Sequence, residues 1–409
     1  MNDFTLADAE ARDAADPLAH LRSRFALPEG VVYLDGNSLG ALPRATGAAL
    51  AEATANQWGD SLVSGWTRHD WIGMPQRLGA KIAPLIGAAA DEVIVTDTTS
   101  TNIFKLVAAA MAARPGRRVV LSEAGNFPTD LYVAQGVTSM RGGELRVAAD
   151  SDIVAQLDAS VAAVLLTHVH YKSGRIHDMV AITSVAHAKG ALVIWDLSHS
   201  TGAVPVDLGG CNADMAVGCG YKYLNGGPGA PAFLHVARRL QADLQSPLSG
   251  WMGHAAPFAF EDGYRPAPGI DRFLCGTPSV LAMAALDAGL AAFEGVDLSA
   301  LFAKGQALGD YCIDLVEAHC SGRGFTLASP RSGRGSHVAF AHPHAWPICQ
   351  ALIARGVIGD FRTPDVLRLG FAPLYTRFAD VWRAVEAMRD LVDSGAWDTP
   401  DFHLRAAVT

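Results

Sequence analysis

The sequence predicts an α/β fold: a mostly parallel seven-stranded sheet in a large domain, followed by a smaller α+β C-terminal domain. Three observations lead there. Short β-rich apolar runs alternate with helical patterns through the first two thirds of the chain. Those runs are apolar at nearly every position, as strands covered on both faces are. Beyond residue 290 the rhythm changes to long helical stretches with few strands. The chain has 409 residues, half of them hydrophobic and 18% charged, enough for two domains and a large core.

Taken in order, residues 1–45 form an N-terminal arm and segment, in which the first 30, Ala- and Asp-rich and helical, lead into the short strand VVYLD (31–35) and the turn GNSLGALP. Residues 46–290 form the large domain. A helix near 43–57 and a connector carrying Trp58, Trp66 and Trp71 precede the first sheet strand, EVIVTD (92–97). The helix TSTNIFKLVAAAMAA and the strand RVVLSE follow, then a helix from about 127 to 138 and the strands ELRVAA and VAAVLLTH. A helix near 178–189, ALVIWD, DMAVGCG and APAFLHV complete the series. Residues 291–409 form the small domain. A helical region over 278–319 runs into it, followed by GSHVAFAHP, a helix near 345–355 and the strand VLRLGF.

Composition excludes several functions. A net charge of −9 with no dense Lys/Arg block argues against a nucleic-acid partner. Six cysteines without a CxxC pair read as reduced thiols, and no metal site is expected. The N-terminal segment shows neither a signal nor a transit pattern, and no apolar run reaches the roughly 18 residues of a membrane span. The expectation is a cytoplasmic protein with no membrane partner.

Open parallel sheets bind ligands beyond the carboxyl ends of their strands, so the residues after each strand carry the chemistry. After EVIVTD come four hydroxyl residues, Thr98 to Thr101, at a helix start. They serve as a cap, as a phosphate cradle, or as both. After RVVLSE comes NFPTD, where Phe127 is either a core ring or a platform for a planar ligand, and Asp130 falls in the first helical turn. Asp196 ends ALVIW, and a carboxylate there requires a cation or a cap. His199 follows it. Lys222, in GCGYKYLNGGPG, lies at the end of the next strand, so an amine and a carboxylate share one sheet edge.

Pyridoxal phosphate chemistry needs that pair. A lysine forms a Schiff base with the cofactor aldehyde, and a carboxylate keeps the pyridine nitrogen protonated. The alternative is a structural Asp–Lys bridge, which often only breaks even. In the C-terminal domain Arg368 stands within the apolar strand VLRLGF. It either holds a substrate carboxylate in a bidentate fork or bridges to an internal Asp or Glu.

These segments together resemble the fold-type I pyridoxal phosphate enzymes, and within them the kynureninase family. The resemblance runs through YLDGNSLGALP, NFPTD, THVHYKSG, WDLSHSTGAVPVDL, CGYKYLNGGPGAPAFLHV, GWMGH, GTPSV and LRLGFAPLYTRF. It implies pyridoxal 5'-phosphate as cofactor and L-kynurenine as the small-molecule substrate, cleaved with water to anthranilate and L-alanine. The 3-hydroxy analogue is a further candidate substrate. Tryptophan catabolism by the kynurenine pathway, and so NAD biosynthesis, is the implied context. By the same resemblance Lys222 is the Schiff-base lysine, Asp196 partners the ring nitrogen, and Tyr221 joins phosphate binding and proton transfer. Thr99 and Ser100 hold the phosphate, Phe127 stacks on the ring, and Asp130, Thr167 and His199 contact the cofactor. Trp251 and Thr277 reach it from a neighbouring subunit, which implies a homodimer with shared active sites. Arg368 and Ser38 bind substrate.

Two departures stand out. Thr277 occupies a position where some relatives carry asparagine, and the histidine some relatives use near the aryl group is missing around WGDSLVSGW, leaving Trp66 and His69 as candidates. The competing reading is a cysteine desulfurase or selenocysteine lyase. That chemistry needs a mobile cysteine ahead of Arg368, where only Cys349, in the helical pattern WPICQALIARGV, is near.

Overall fold

All seven segments predicted as strands of the large domain join one sheet. The structure is a computed structural model that describes residues 4–149 and 152–405. After a short β1 (Val32–Tyr33), the sheet strands are β2 (Val93–Val95), β3 (Val119–Glu123), β4 (Glu144–Ala148), β5 (Val161–Thr167), β6 (Leu192–Asp196), β7 (Met215–Cys219) and β8 (Ala232–Val236). Their order is β2-β8-β7-β6-β5-β3-β4. Only β8 runs against its neighbours, and every other strand points the same way.

Six of the seven strands are buried at every position, which is why they read as continuous apolar runs. The edge strand β4 differs. Glu144 and Arg146 alternate with apolar residues there, and charged side chains blunt an exposed edge. Helices Thr99–Ala113, Pro128–Met140 and Met179–Ala188 connect the parallel strands, and Trp195 fills the interior with its indole N–H donated to Thr183 Oγ1 at 3.3 Å.

The C-terminal unit is an antiparallel sheet of β9 (Thr326–Leu327), β10 (His337–Ala341), β12 (Asp360–Arg362) and β13 (Val366–Gly370), ordered β12-β13-β10-β9. Helices Leu298–His319, Ala345–Ala354 and Phe378–Ser394 supply its separate apolar core. The remaining strand, β11 (Val357–Ile358), pairs in parallel with β1.

Some elements differ from the sequence pattern. The predicted helical region over 278–319 is two helices, Val280–Ala291 and Leu298–His319, separated at Gly295 (φ +72°), with Asp297 capping the second through Ser299 N at 2.9 Å. The helix near 43–57 is regular over Ala45–Ala51 and then widens into π geometry to Asp60. The N-terminal arm holds the helix Leu6–Ala14 and a 3-10 segment, Ala19–Arg24. Asp13 accepts from Phe378 N (2.7 Å) and Ala379 N (3.0 Å), so the arm is fastened to the N-terminus of the last long helix. An ion pair of 2.7 Å between Lys304 and Asp16 fastens it a second time.

Candidate active site

The sheet brings Asp196, Thr167 and Lys222 to one edge. Thr167 ends β5 opposite Asp196 at the end of β6, and Lys222 follows β7, the next strand over. A tight turn holds the lysine. Asn225 adopts a left-handed φ of +57° and donates its N–H to Lys222 O at 2.9 Å. Gly40, from GNSLG, donates to Tyr221 O at 2.8 Å, and a Cβ on Gly40 would stand 2.3 Å from Lys222 O. Only glycine allows the two segments to meet that closely. Lys222 is 8% exposed. Its Nζ lies 2.9 Å from His199 Nε2 and near the rings of Phe127 (5.7 Å) and Tyr221 (5.8 Å).

The NFPTD segment supplies the opposite wall. Asn126 donates to Ser122 Oγ at 3.0 Å and accepts from Phe127 N at 2.8 Å, and Thr167 Oγ1 donates to Asn126 Oδ1. This clamp fixes Phe127 just before a helix whose first turn presents Asp130, buried beside Asp196. Exposed Phe127 meets Tyr171 edge-on, with ring centroids 5.3 Å apart.

Two buried carboxylates side by side repel, so they hold one proton between them. Asp130 lies well above the usual carboxylate range because burial, and then the charge of Asp196, opposes its ionisation. Burial also raises Asp196, which accepts from Ser198 N at 2.8 Å. Asp130 keeps the proton and Asp196 carries the charge. Among the described residues no Arg or Lys pairs with Asp196 within ion-pair distance, so the structural Asp–Lys bridge is not formed. His199 is held neutral, far below its ordinary value, by burial and by the nearby Lys222 amine. Burial raises the Tyr221 phenol.

Arg368 belongs to a second cluster. It is wholly buried and donates from Nε to Asp360 Oδ1 at 2.8 Å, and from Nη2 to Asp360 Oδ2 and to Ser38 Oγ (3.0 Å). Its Nη1 donates to Tyr171 O. The internal bridge that the sequence left open is therefore present, with Ser38 attached to it through a 2.8 Å bond to Asp360. Burial would raise Asp360, but Arg368 overrides it and brings the carboxyl down to about 2. Asp35, beside Asp360, is pushed up to about 7 by burial and by its charged neighbour.

The helix start after β2 is open to a ligand. Thr98 does the capping, accepting from Thr101 N at 3.2 Å, and among the described residues the Thr99 and Ser100 hydroxyls have no partner. Trp251 and Thr277 are exposed and lie on adjoining segments, joined by Met252 N donating to Cys275 O at 3.2 Å. No contact joins them to the Lys222 cluster among the described residues. Trp66 and His69 pack on Trp71, and His69 Nε2 meets Ser61 Oγ at 2.9 Å, with no described contact to that cluster either. Sequence reasoning missed Asp360, Asn126 and Tyr171. Asp360 stands opposite Arg368 only through the β12–β13 register, and no local pattern marks it.

Residues 301–388 match the family described as the kynureninase C-terminal domain. The chain is 52% identical to a kynureninase of Burkholderia mallei (strain SAVP1) over 414 residues, covering 99% of this chain and all of that one. A kynureninase of Pseudomonas fluorescens is 49% identical over the same span. The chain belongs to the kynureninase family. Kynureninase membership makes it a pyridoxal phosphate-dependent hydrolase of a carbon–carbon bond.

Solved structures agree on fold. Escherichia coli cysteine desulfurase CsdA superposes with a TM-score of 0.76 at 20% identity, covering 93% of this chain and 98% of that one. A mutant C-DES with glycine covalently linked to its PLP cofactor gives 0.77 at 15%, covering 90% and 99%. At such identity the likeness extends to the fold-type I architecture alone, and the desulfurase chemistry does not transfer. Cys349 is wholly buried, with its thiol raised by burial and its Sγ 3.9 Å from Gly359 O. The residues present fit the kynureninase cofactor: Asp196 lacks a cation, His199 Nδ1 is buried without a partner, and the open helix start offers unspent donors.

Proposed function

We propose that this chain hydrolyses L-kynurenine to anthranilate and L-alanine at the cluster around Lys222, with each residue in the role its surroundings suit. When bound, pyridoxal phosphate supplies an aldehyde for an amine and a protonated ring that draws electrons from the substrate Cα. Asp196 keeps the ring nitrogen protonated, since a buried carboxylate without a cation favours that N–H most. Asp130, Thr167 and His199 complete that wall of the site. Thr99, Ser100 and Tyr221 hold the phosphate at the helix start. Phe127 covers one ring face and excludes water. Lys222 Nζ would anchor the cofactor and, once the substrate amine has displaced it, would be free to take the proton from the substrate Cα, while the raised phenol of Tyr221 would return a proton to the substrate. Arg368 and Ser38 hold the α-carboxylate.

The observation that carries this reading is Lys222, buried against neutral His199 on the same sheet edge as an unpaired Asp196. Purified cofactor-loaded protein mixed with L-kynurenine should release anthranilate, followed by its fluorescence. A loaded protein that releases none would defeat the reading, and a parallel assay with 3-hydroxykynurenine sets the preference between the two.

The protein acts as a homodimer in which Trp251 and Thr277 reach the partner's site. Exposed Trp251, edge-on to exposed Phe258 at 5.5 Å, offers an apolar surface for a second copy. The arm (1–45), large domain (46–290) and small domain (291–409) are the units of this assembly. A cytoplasmic place in tryptophan catabolism, the kynurenine pathway and NAD biosynthesis completes the proposal. In keeping with it, no helix among the described residues is long and apolar enough to cross a membrane.

A further inference from the structure

Two buried imidazoles meet behind Lys222. His337 on β10 is wholly buried, and neither of its ring nitrogens has a hydrogen-bond partner. His199 Nδ1 is also buried and unpartnered, although Nε2 of the same ring meets Lys222 Nζ at 2.9 Å. The rings sit edge to face with centroids 5.6 Å apart. An unmet buried polar atom costs about 1–3 kcal/mol, so such atoms are rare. Three of them in two adjacent rings point to one shared interaction rather than three separate losses.

Register and packing fix where His337 stands. Ala339 lies opposite Arg368 and His337 opposite Gly370, which puts His337 and Arg368 on one face of the small sheet. Ser336, the preceding residue, accepts from Tyr223 OH at 3.1 Å and donates its hydroxyl to Phe371 O at 2.6 Å. The residue after Lys222 thus holds the residue before His337. Gly174 closes the other side, where a Cβ would come 3.2 Å from His337 Nε2.

We propose that His337 is a positioning residue whose ring nitrogen accepts the Nδ1–H of His199 and so keeps the His199 lone pair on Nε2, the nitrogen facing Lys222. The inference rests on the reading above, in which Lys222 carries the cofactor. Burial keeps both rings neutral, so each holds a single N–H. Lys222 Nζ, 2.9 Å from His199 Nε2, is the strongest charge acting on that ring, and a cation favours a ring lone pair toward itself and the N–H away from it, so the His199 proton sits on Nδ1. Tyr223 gains a role in turn: it sets the height of β10 above the lysine turn.

The test compares His337→Gln, which keeps an acceptor, with His337→Leu, both in cofactor-loaded protein. Nitrogen NMR of histidine-labelled wild-type protein should show His199 protonated on Nδ1 with that N–H donating a bond, a signature lost in H337L and kept in H337Q. The resting cofactor absorbance should shift in H337L, and kcat/KM should fall about tenfold, the worth of one buried hydrogen bond. Tyr223→Phe should move both readouts the same way by a smaller amount, and it serves should H337L fail to fold. Wild-type His199 protonated on Nε2 overturns the proposal. So does an unchanged spectrum in folded H337L or Y223F, or equal damage in H337Q and H337L. The nitrogen signal needs no turnover. A protein inactive on L-kynurenine would therefore defeat the functional reading, while the protonation state of His199 would still decide the role of His337.

Discussion

The two charged clusters of this chain are built on opposite plans. Around Arg368 every charge is answered: one carboxylate grips the guanidinium through two nitrogens, and Ser38 and a backbone carbonyl take further donors. Around Lys222 the charges are left short. Asp196 has no cation within ion-pair distance among the described residues, Asp130 holds on to a proton, and His199 has an idle nitrogen. A saturated cluster is a rigid fixture, whereas a deficient one is completed by a ligand that brings the missing groups. The contrast separates a cluster whose own groups already hold Arg368 and Ser38 in place for a substrate carboxylate from one that awaits a cofactor.

The comparison is sharpened first by Lys222→Ala. Removing the anchoring amine and the Cα base together should lower anthranilate release by about 10⁴-fold or more. Borohydride treatment should then leave no cofactor attached to the chain. Retained attachment would place the anchor elsewhere.

Next come the two aspartates. Asp360→Asn leaves Arg368 buried without its counter-charge, which should cost about 3–5 kcal/mol in urea unfolding. Asp196→Asn removes a charge met only by the Ser198 N–H and by Lys222 beyond ion-pair distance, so the cofactor-free protein should lose about 1 kcal/mol, less than the Asp360 variant, while turnover falls about a hundredfold. Equal losses of stability in both variants would erase the distinction between the clusters.

The smallest expected effect lies in the pH dependence of Asp35. Its carboxyl is pushed up to about 7, with Asp360, Arg368, Tyr33 and Tyr375 around it. The folded state therefore binds a proton that the unfolded state releases near pH 4, and stability falls as pH rises from about 4 to about 7. Asp35→Asn removes that slope. Its Tm relative to wild type should be higher at pH 8 than at pH 5, by a few degrees. A gap independent of pH would show that Asp35 titrates normally.

Much of this was legible in one dimension. Strands covered on both faces must be apolar throughout, so six of the seven sheet strands could be read as apolar runs, and the open-sheet rule then directed attention to Asp196 and Lys222. Family segments carried the remaining site residues. The strands Thr326–Leu327, Val357–Ile358 and Asp360–Arg362 were not legible, because two or three residues leave no periodicity to detect.

The sequence by itself determined which groups sit at the strand ends, since strand, turn and helix starts are local matters of burial and capping. Tertiary structure alone decided which groups touch. Arg368 could be a free fork or a bridged one until β12 and β13 aligned and set Asp360 against it. Asp130 and Asp196 stand 66 positions apart, and only the stacking of β3, β5 and β6 makes them share a proton. His337 met His199 only once Tyr223 had docked the small sheet on the lysine turn. Charge interactions act through space over a few ångströms, and distance along the chain carries no record of them.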